Sequence, residues 1–132
     1  MLHHISLGVV QMQEAAAFFD TVLEPLGYVR VWSDLRPGEQ GQAVGYGLLG
    51  GGDKLALKQV QKGSELSLPG FHVAFAASSR EAVASFHAAA LKAGGKDNGA
   101  PGLREHYGPN YFAAFVISPE GYHLEAVCKS AA

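Results

Sequence analysis

The stretch Tyr111-Phe-Ala-Ala-Phe-Val-Ile-Ser-Pro-Glu-Gly-Tyr-His-Leu-Glu-Ala-Val-Cys128 decides how the rest of the chain is read. Two apolar runs, rich in aromatic and β-branched residues, flank Ser118-Pro119-Glu120-Gly121. Proline presets φ for a turn and glycine permits a positive φ, so the stretch predicts an antiparallel hairpin. Strand side chains alternate faces, which sets Leu124, Ala126 and Cys128 on one side and His123, Glu125 and Val127 on the other. A carboxylate such as Glu125 inside an apolar strand needs a partner: a metal, an arginine or a hydrogen-bond network. Cys128, on the opposite face, reads as a small buried hydrophobe.

Working outward, the chain shows the same order twice. Leu2 to Val10 alternates, with Ile5, Leu7 and Val9 on a bulky face and His4, Ser6 and Gly8 on a small polar one. A helix follows from about Met12 to Glu24, its stripe made of Ala15, Phe18, Phe19, Val22 and Leu23, and Pro25 and Gly27 stop it. Strands are expected over Tyr28–Ser33, Ala43–Leu49 and Lys54–Val60, and a linker over Lys62–Gly70. Then Phe71-His-Val-Ala-Phe-Ala-Ala77 alternates again, with Phe71, Val73 and Phe75 on the bulky face and His72 on the small one. Ser78 and Glu81 suggest a capping box for a helix ending near Ala93, with Val83, Phe86, Ala90 and Leu91 as its stripe. A short strand near Leu103 and the hairpin complete the pattern.

The order is β-α-β-β-β twice, an internal duplication with module one at about 1–61 and module two at about 70–130. An offset of 68 carries His4 onto His72, Phe18 onto Phe86 and Gly27 onto Gly95; one more residue sets Ala56 against Glu125. The expected fold is α+β: two such modules in tandem forming a concave, partly closed mixed sheet with helices outside. Small residues beside each histidine leave room rather than fill a core. Two facing modules would enclose a cavity into which His4, His72 and Glu125 project. Two imidazoles and a carboxylate with open coordination positions suit a divalent first-row metal. His3 is assigned to the face opposite His4, His87 to a helix position off the stripe, and His123 to solvent beside the turn.

Composition narrows the function classes. The chain has 132 residues, a net charge of -2 and 48% apolar residues, as expected of one soluble domain with a core of its own. Lysines and arginines are scattered singly, which argues against nucleic acid. No apolar run approaches the ~20 residues of a membrane span. A single cysteine and an N-terminus without a cationic leader lead us to expect a cytoplasmic protein.

The duplication, the opening His-Ile-Ser-Leu-Gly-Val, the Phe-His-Val-Ala-Phe and the Ser-Pro-Glu-Gly-Tyr-His-Leu-Glu hairpin resemble the vicinal-oxygen-chelate superfamily, which includes glyoxalase I, bleomycin-resistance proteins, fosfomycin-resistance enzymes and extradiol dioxygenases. The resemblance covers essentially the whole chain and is closest to small bacterial glyoxalase-like proteins. In the hairpin, Ser118 stands where the family has Asp and Tyr122 where it has Asn. The family's metal positions fall on His4, Ala56, His72 and Glu125. Ala56 cannot ligate, so the resemblance implies a three-ligand site and disfavours a glyoxalase I.

What it implies is a divalent metal (Fe, Mn, Zn or Ni), a small-molecule substrate with vicinal oxygens, and lyase, isomerase or dioxygenase chemistry. The competing class is a sequestering protein of the bleomycin-resistance type. It also implies a homodimer, with modules paired within a chain or exchanged between chains. Candidates to line the pocket are Lys58 and Trp32 from module one, and Arg104, His106, Tyr107 and Tyr111 from the loop before the hairpin.

Overall fold

The bulky face of each module's first strand, Leu7 and Val9 in one and Val73 and Phe75 in the other, is buried in a core that both helices share. The computed structural model describes residues 2–63 and 69–132, so 64–68 of the expected linker lie outside the described residues. Module one comprises β1 (Ile5–Val9), α1 (Met12–Leu23), β2 (Tyr28–Asp34), β3 (Ala43–Leu48) and β4 (Leu55–Gln59). Module two comprises β5 (Val73–Ala76), α2 (Arg80–Lys92), β6 (Lys96–Leu103), β7 (Phe112–Ile117) and β8 (His123–Cys128). Each module is a four-stranded sheet, ordered β1-β4-β3-β2 and β5-β8-β7-β6. The first and last strands of each module run parallel and the remaining pairs antiparallel. Among the described residues no helix is long and apolar enough to cross a membrane.

One core serves both modules. Leu7 and Val9 of β1, Phe18, Phe19, Val22 and Leu23 of α1, Val83 and Phe86 of α2, and Leu124 and Ala126 of β8 belong to a single buried cluster. The two helices pack on each other as well as on their own sheets. Hydrophobic burial therefore joins the modules through their helical sides. A polar tether adds to it: the Tyr122 hydroxyl donates to the Gly8 carbonyl at 2.6 Å, from the β8 side of module two to β1 of module one.

The pairing registers confirm the internal alignment. Ser6 faces Ala56 across β1 and β4, and Ala74 faces Glu125 across β5 and β8. Ala56 thus occupies in module one the position that Glu125 holds in module two. In the hairpin turn, the Gly121 N–H donates to the Ser118 carbonyl at 2.9 Å with Gly121 at φ +104, and the Tyr122 N–H donates to the Ser118 hydroxyl at 3.0 Å. Serine therefore holds the turn where the family pattern has aspartate.

Three local expectations are corrected. The cap of α2 is Ser79, whose hydroxyl accepts the Ala82 N–H at 3.1 Å, one residue beyond Ser78. Leu91 is 41% exposed, while His87 is 9% exposed and bonds Asp97 at 2.9 Å, so the buried stripe of α2 runs through His87. β6 spans eight residues rather than a short segment near Leu103. It is an edge strand with register shifts around Gly99, where missing ladder bonds are tolerated, so Pro101 and its glycines do not end it.

Candidate metal centre and cavity

Glu125 is 2% exposed, yet it forms part of the wall of a cavity of about 660 Å³. Its neighbours Leu124 and Ala126 anchor β8 in the core, and alternation turns the carboxylate the other way. His72 lies immediately before β5, and its Nε2 stands 3.3 Å from Glu125 Oε1. Two donor atoms bound to one metal at about 2.1 Å, at angles between octahedral and tetrahedral, lie roughly 3.0–3.4 Å apart. The His72–Glu125 pair has that spacing.

The other carboxylate oxygen is engaged. The Tyr111 hydroxyl donates to Glu125 Oε2 at 2.5 Å. Burial first, and the adjoining carboxylate second, push the Tyr111 phenol up to about 12. It remains a protonated donor at neutral pH, which leaves Oε1 as the oxygen turned to His72. Glu125 thus has one oxygen held by Tyr111 and the other turned to His72.

Around the pair, Phe71, Asn98, Tyr107, Phe115 and His123 complete the aromatic and polar wall. Phe115 was legible in the hairpin: it stands directly opposite Glu125 in the β7–β8 register, so the two share a face. Alternation alone sets Phe71 on the bulky face with Val73. β5 begins only at Val73, so strand alternation does not govern residue 71, and its ring lines the cavity. Asn98 comes from the part of β6 that lies before the short strand expected near Leu103.

The remaining candidates lie elsewhere. Arg104 places its guanidinium 5.3 Å from the centre of the Phe115 ring and donates to the Ala100 carbonyl at 2.7 Å, so it supports the cavity wall from outside. His106 packs against Tyr107 with ring centres 4.1 Å apart and planes tilted by 41°. Lys58 is exposed on β4, opposite Gly8. Trp32 lies against Gly45, where a Cβ would sit 2.2 Å from the indole nitrogen. These four are not among the residues lining the His72–Glu125 cavity.

His4 is not brought to His72 and Glu125 within the chain. Its Nδ1 lies 2.8 Å from His3 Nδ1. Among the described residues, the trio of ligating side chains whose donor atoms lie within 4.8 Å of one another is His3, His4 and Asp53. The assignment of His3 to the opposite face is corrected for the same reason as Phe71: β1 begins at Ile5, after both histidines.

The sequence profile described as Glyoxalase/Bleomycin resistance protein/Dioxygenase superfamily matches residues 1–126. No curated protein sequence matches the chain. A glyoxalase/bleomycin resistance protein from Albidiferax ferrireducens T118 superposes with a TM-score of 0.77 at 23% identity, covering 98% of this chain and 99% of that one. A variant of glyoxalase I from Zea mays gives 0.72 at 20% identity, over 96% of this chain and 46% of that one. A variant of the fosfomycin resistance protein FosX from Listeria monocytogenes, complexed with Mn(II) and 1S,2S-dihydroxypropylphosphonic acid, gives 0.67 at 14% identity, over 99% and 91%. At these identities the superpositions establish a shared fold.

Proposed function

The chain belongs to the glyoxalase/bleomycin resistance/dioxygenase superfamily, and from that premise we propose that it is a divalent-metal-dependent enzyme acting on a small molecule with adjacent oxygens. The observation that carries the reading is His72 Nε2 at 3.3 Å from Glu125 Oε1 on the wall of a cavity of about 660 Å³. Similarity to a protein whose structure holds Mn(II) with a vicinal dihydroxy compound supports it. His72 and Glu125 would hold the ion, and the ion would supply Lewis-acid stabilisation of a developing oxyanion.

Within this arrangement Tyr111 fixes the carboxylate orientation, while Phe71, Tyr107 and Phe115 offer aromatic surface to the organic part of the substrate. Two donors are too few for a tight site, and His4 is the third candidate. Because it does not reach the pair within its own chain, His4 of a second copy would supply the donor, with module one of each copy covering module two of the other. This makes the active form a homodimer with exchanged modules.

Mixing decides this arrangement. His4→Ala and His72→Ala chains should each fail to retain stoichiometric Mn2+ after desalting. Co-refolded, they should recover binding in the mixed dimer, where one cavity regains both histidines. Absence of recovery in a mixture shown by mass to contain the mixed dimer rejects exchange, and retention of Mn2+ by His72→Ala alone rejects the site itself.

The register placing Ala56 where Glu125 stands in module two supports a further point about reaction class. With no fourth carboxylate to ligate or take a proton, isomerisation of the methylglyoxal–glutathione hemithioacetal should be negligible. Robust metal-dependent turnover of that substrate rejects this reading. The aromatic cavity wall also suits a protein that sequesters a ligand; ligand affinity unchanged in Glu125→Gln would favour that alternative.

A further inference from the structure

Module one lacks the strand carboxylate, but its histidine is not without one. Asp53 ends the Gly50-Gly51-Gly52 turn before β4 and is half-buried. The turn is fixed by backbone bonds: Gly51 N–H donates to Leu48 O at 2.8 Å and Lys54 N–H to Tyr46 O at 2.7 Å. Gly47 permits its close approach, since a Cβ there would lie 2.2 Å from Gly52 O. The first rung between β1 and the turn, Ile5 N–H to Lys54 O at 3.0 Å, holds the residue after His4 beside the residue after Asp53. The backbone next to His4 is therefore held beside the backbone next to Asp53.

We propose that His3, His4 and Asp53 form a second site for a divalent transition metal, separate from the His72–Glu125 cavity. Their donor atoms all lie within 4.8 Å of one another, and the two Nδ1 atoms share a hydrogen bond at 2.8 Å, whose proton an ion would replace. Two nitrogens bound at about 2.1 Å to one ion at a right angle are separated by about 3 Å, which the pair already approximates. Neither histidine nor Asp53 forms an ion pair with a described residue, so the carboxylate has no protein cation to displace.

Two imidazoles and one carboxylate favour Ni, Cu or Zn over Ca or Mg, by ligand type and by the usual order of affinities. The duplication makes the set particular to module one. The positions equivalent to His3 and Asp53 in module two are Phe71 and Tyr122, which offer no imidazole or carboxylate.

The site shares His4 with the proposed exchanged cavity, and in that respect only it rests on the previous reading. A neutral imidazole offers one lone pair, so His4 serves one ion at a time. An ion held by His3, His4 and Asp53 withdraws His4 from the second copy's cavity.

The test uses the full chain with the cavity donors removed, His72→Ala with Glu125→Gln, its fold checked by circular dichroism and its Ni2+ binding followed by calorimetry. One equivalent of Ni2+ should bind, and adding Asp53→Asn or His3→Gln should weaken it about tenfold or more. No Ni2+ binding in the cavity-less protein, or binding untouched by both added substitutions, overturns the proposal. The same Asp53→Asn change in the wild-type background keeps the two readings distinct. It should leave Mn2+ in the cavity, whereas His72→Ala should remove Mn2+ and leave the Ni2+ equivalent in place.

Discussion

The two modules share order, register and helix placement, yet one face is filled and the other is open. In module two, β7 and β8 set Phe115 opposite Glu125, and the carboxylate opens onto a cavity. In module one, the corresponding pair of β3 and β4 is Gly45 opposite Ala56, and the indole of Trp32 lies on Gly45. The small residues at these two strand positions leave room for one large ring from the neighbouring strand. Duplication therefore yielded a scaffold twice and a strand carboxylate once. What distinguishes a wall from a site here is two positions on the sheet, with the fold itself unchanged.

The comparison can be broken most severely at the feature the modules share. Phe18 and Phe86 are equivalent under the repeat and both buried in the common core. Replacing either by alanine should cost about 3–5 kcal/mol in denaturant unfolding, because the lost transfer energy is compounded by a cavity. Similar losses for the two variants, in a single transition, would show that the modules unfold as a unit. Two resolved transitions would show that they do not.

A smaller effect is expected where the modules differ. In Gly45→Ala the new Cβ meets the Trp32 ring at 2.2 to 2.9 Å, so the indole must swing away. Trp32 is the chain's one tryptophan and is 40% exposed. Its fluorescence should shift to the red, at a cost of about 1–3 kcal/mol for displaced packing. An unshifted spectrum would mean that the ring does not rest on Gly45 and that module one is not closed by it.

On the module two side, Tyr111→Phe removes the donor that orients Glu125 and should weaken cavity metal binding about 10–100-fold without unfolding the protein. It also has a signature in alkali. The folded Tyr111 phenol titrates at about 12, above the ~10 of an unfolded chain. Its contribution to stability is thus intact below pH ~10 and is lost as pH rises through the folded value. Tyr28, Tyr46 and Tyr122 are also raised, in each case chiefly by burial, so wild-type stability should fall over the same range. Tyr111→Phe should lose less stability across that window, as read from urea midpoints at successive pH values. An equal loss would remove Tyr111 from the account.

Much of this was written in the sequence because repetition and alternation are strong signals. The Phe18–Phe86 and His4–His72 equivalences gave the modules, and alternation around Leu124 and Ala126 gave the orientation of Glu125. Alternation failed where the strand had not yet begun, so Phe71 and His3 were placed on the wrong faces. It also said nothing of Tyr111, because its bond to Glu125 reaches back from the loop end of the hairpin at a spacing that no strand period predicts. The place of His4 was not legible for another reason. Faces are encoded locally, but which faces meet depends on how the modules dock, and here they dock through the helices.

The smallest contrast lies at the helix starts, and it can be erased from either side. α2 begins with Ser79 in an extended conformation, its hydroxyl accepting the Ala82 N–H. α1 follows Gln11, which makes no side-chain cap bond and leaves its first N–H groups without that partner. Ser79→Ala should cost about 1 kcal/mol, and Gln11→Asp should gain a comparable or smaller amount by capping α1 and placing a negative charge at its positive end. Ser78→Ala, by contrast, should be nearly neutral, although sequence alone pointed to it. Urea midpoints of the three variants read all of this directly. A larger loss from Ser78→Ala than from Ser79→Ala would return the cap to the earlier serine and shift the helix start by one residue. A Gln11→Asp variant no more stable than wild type would show that water already satisfies the start of α1, so that the difference between the modules at this point has no energetic weight.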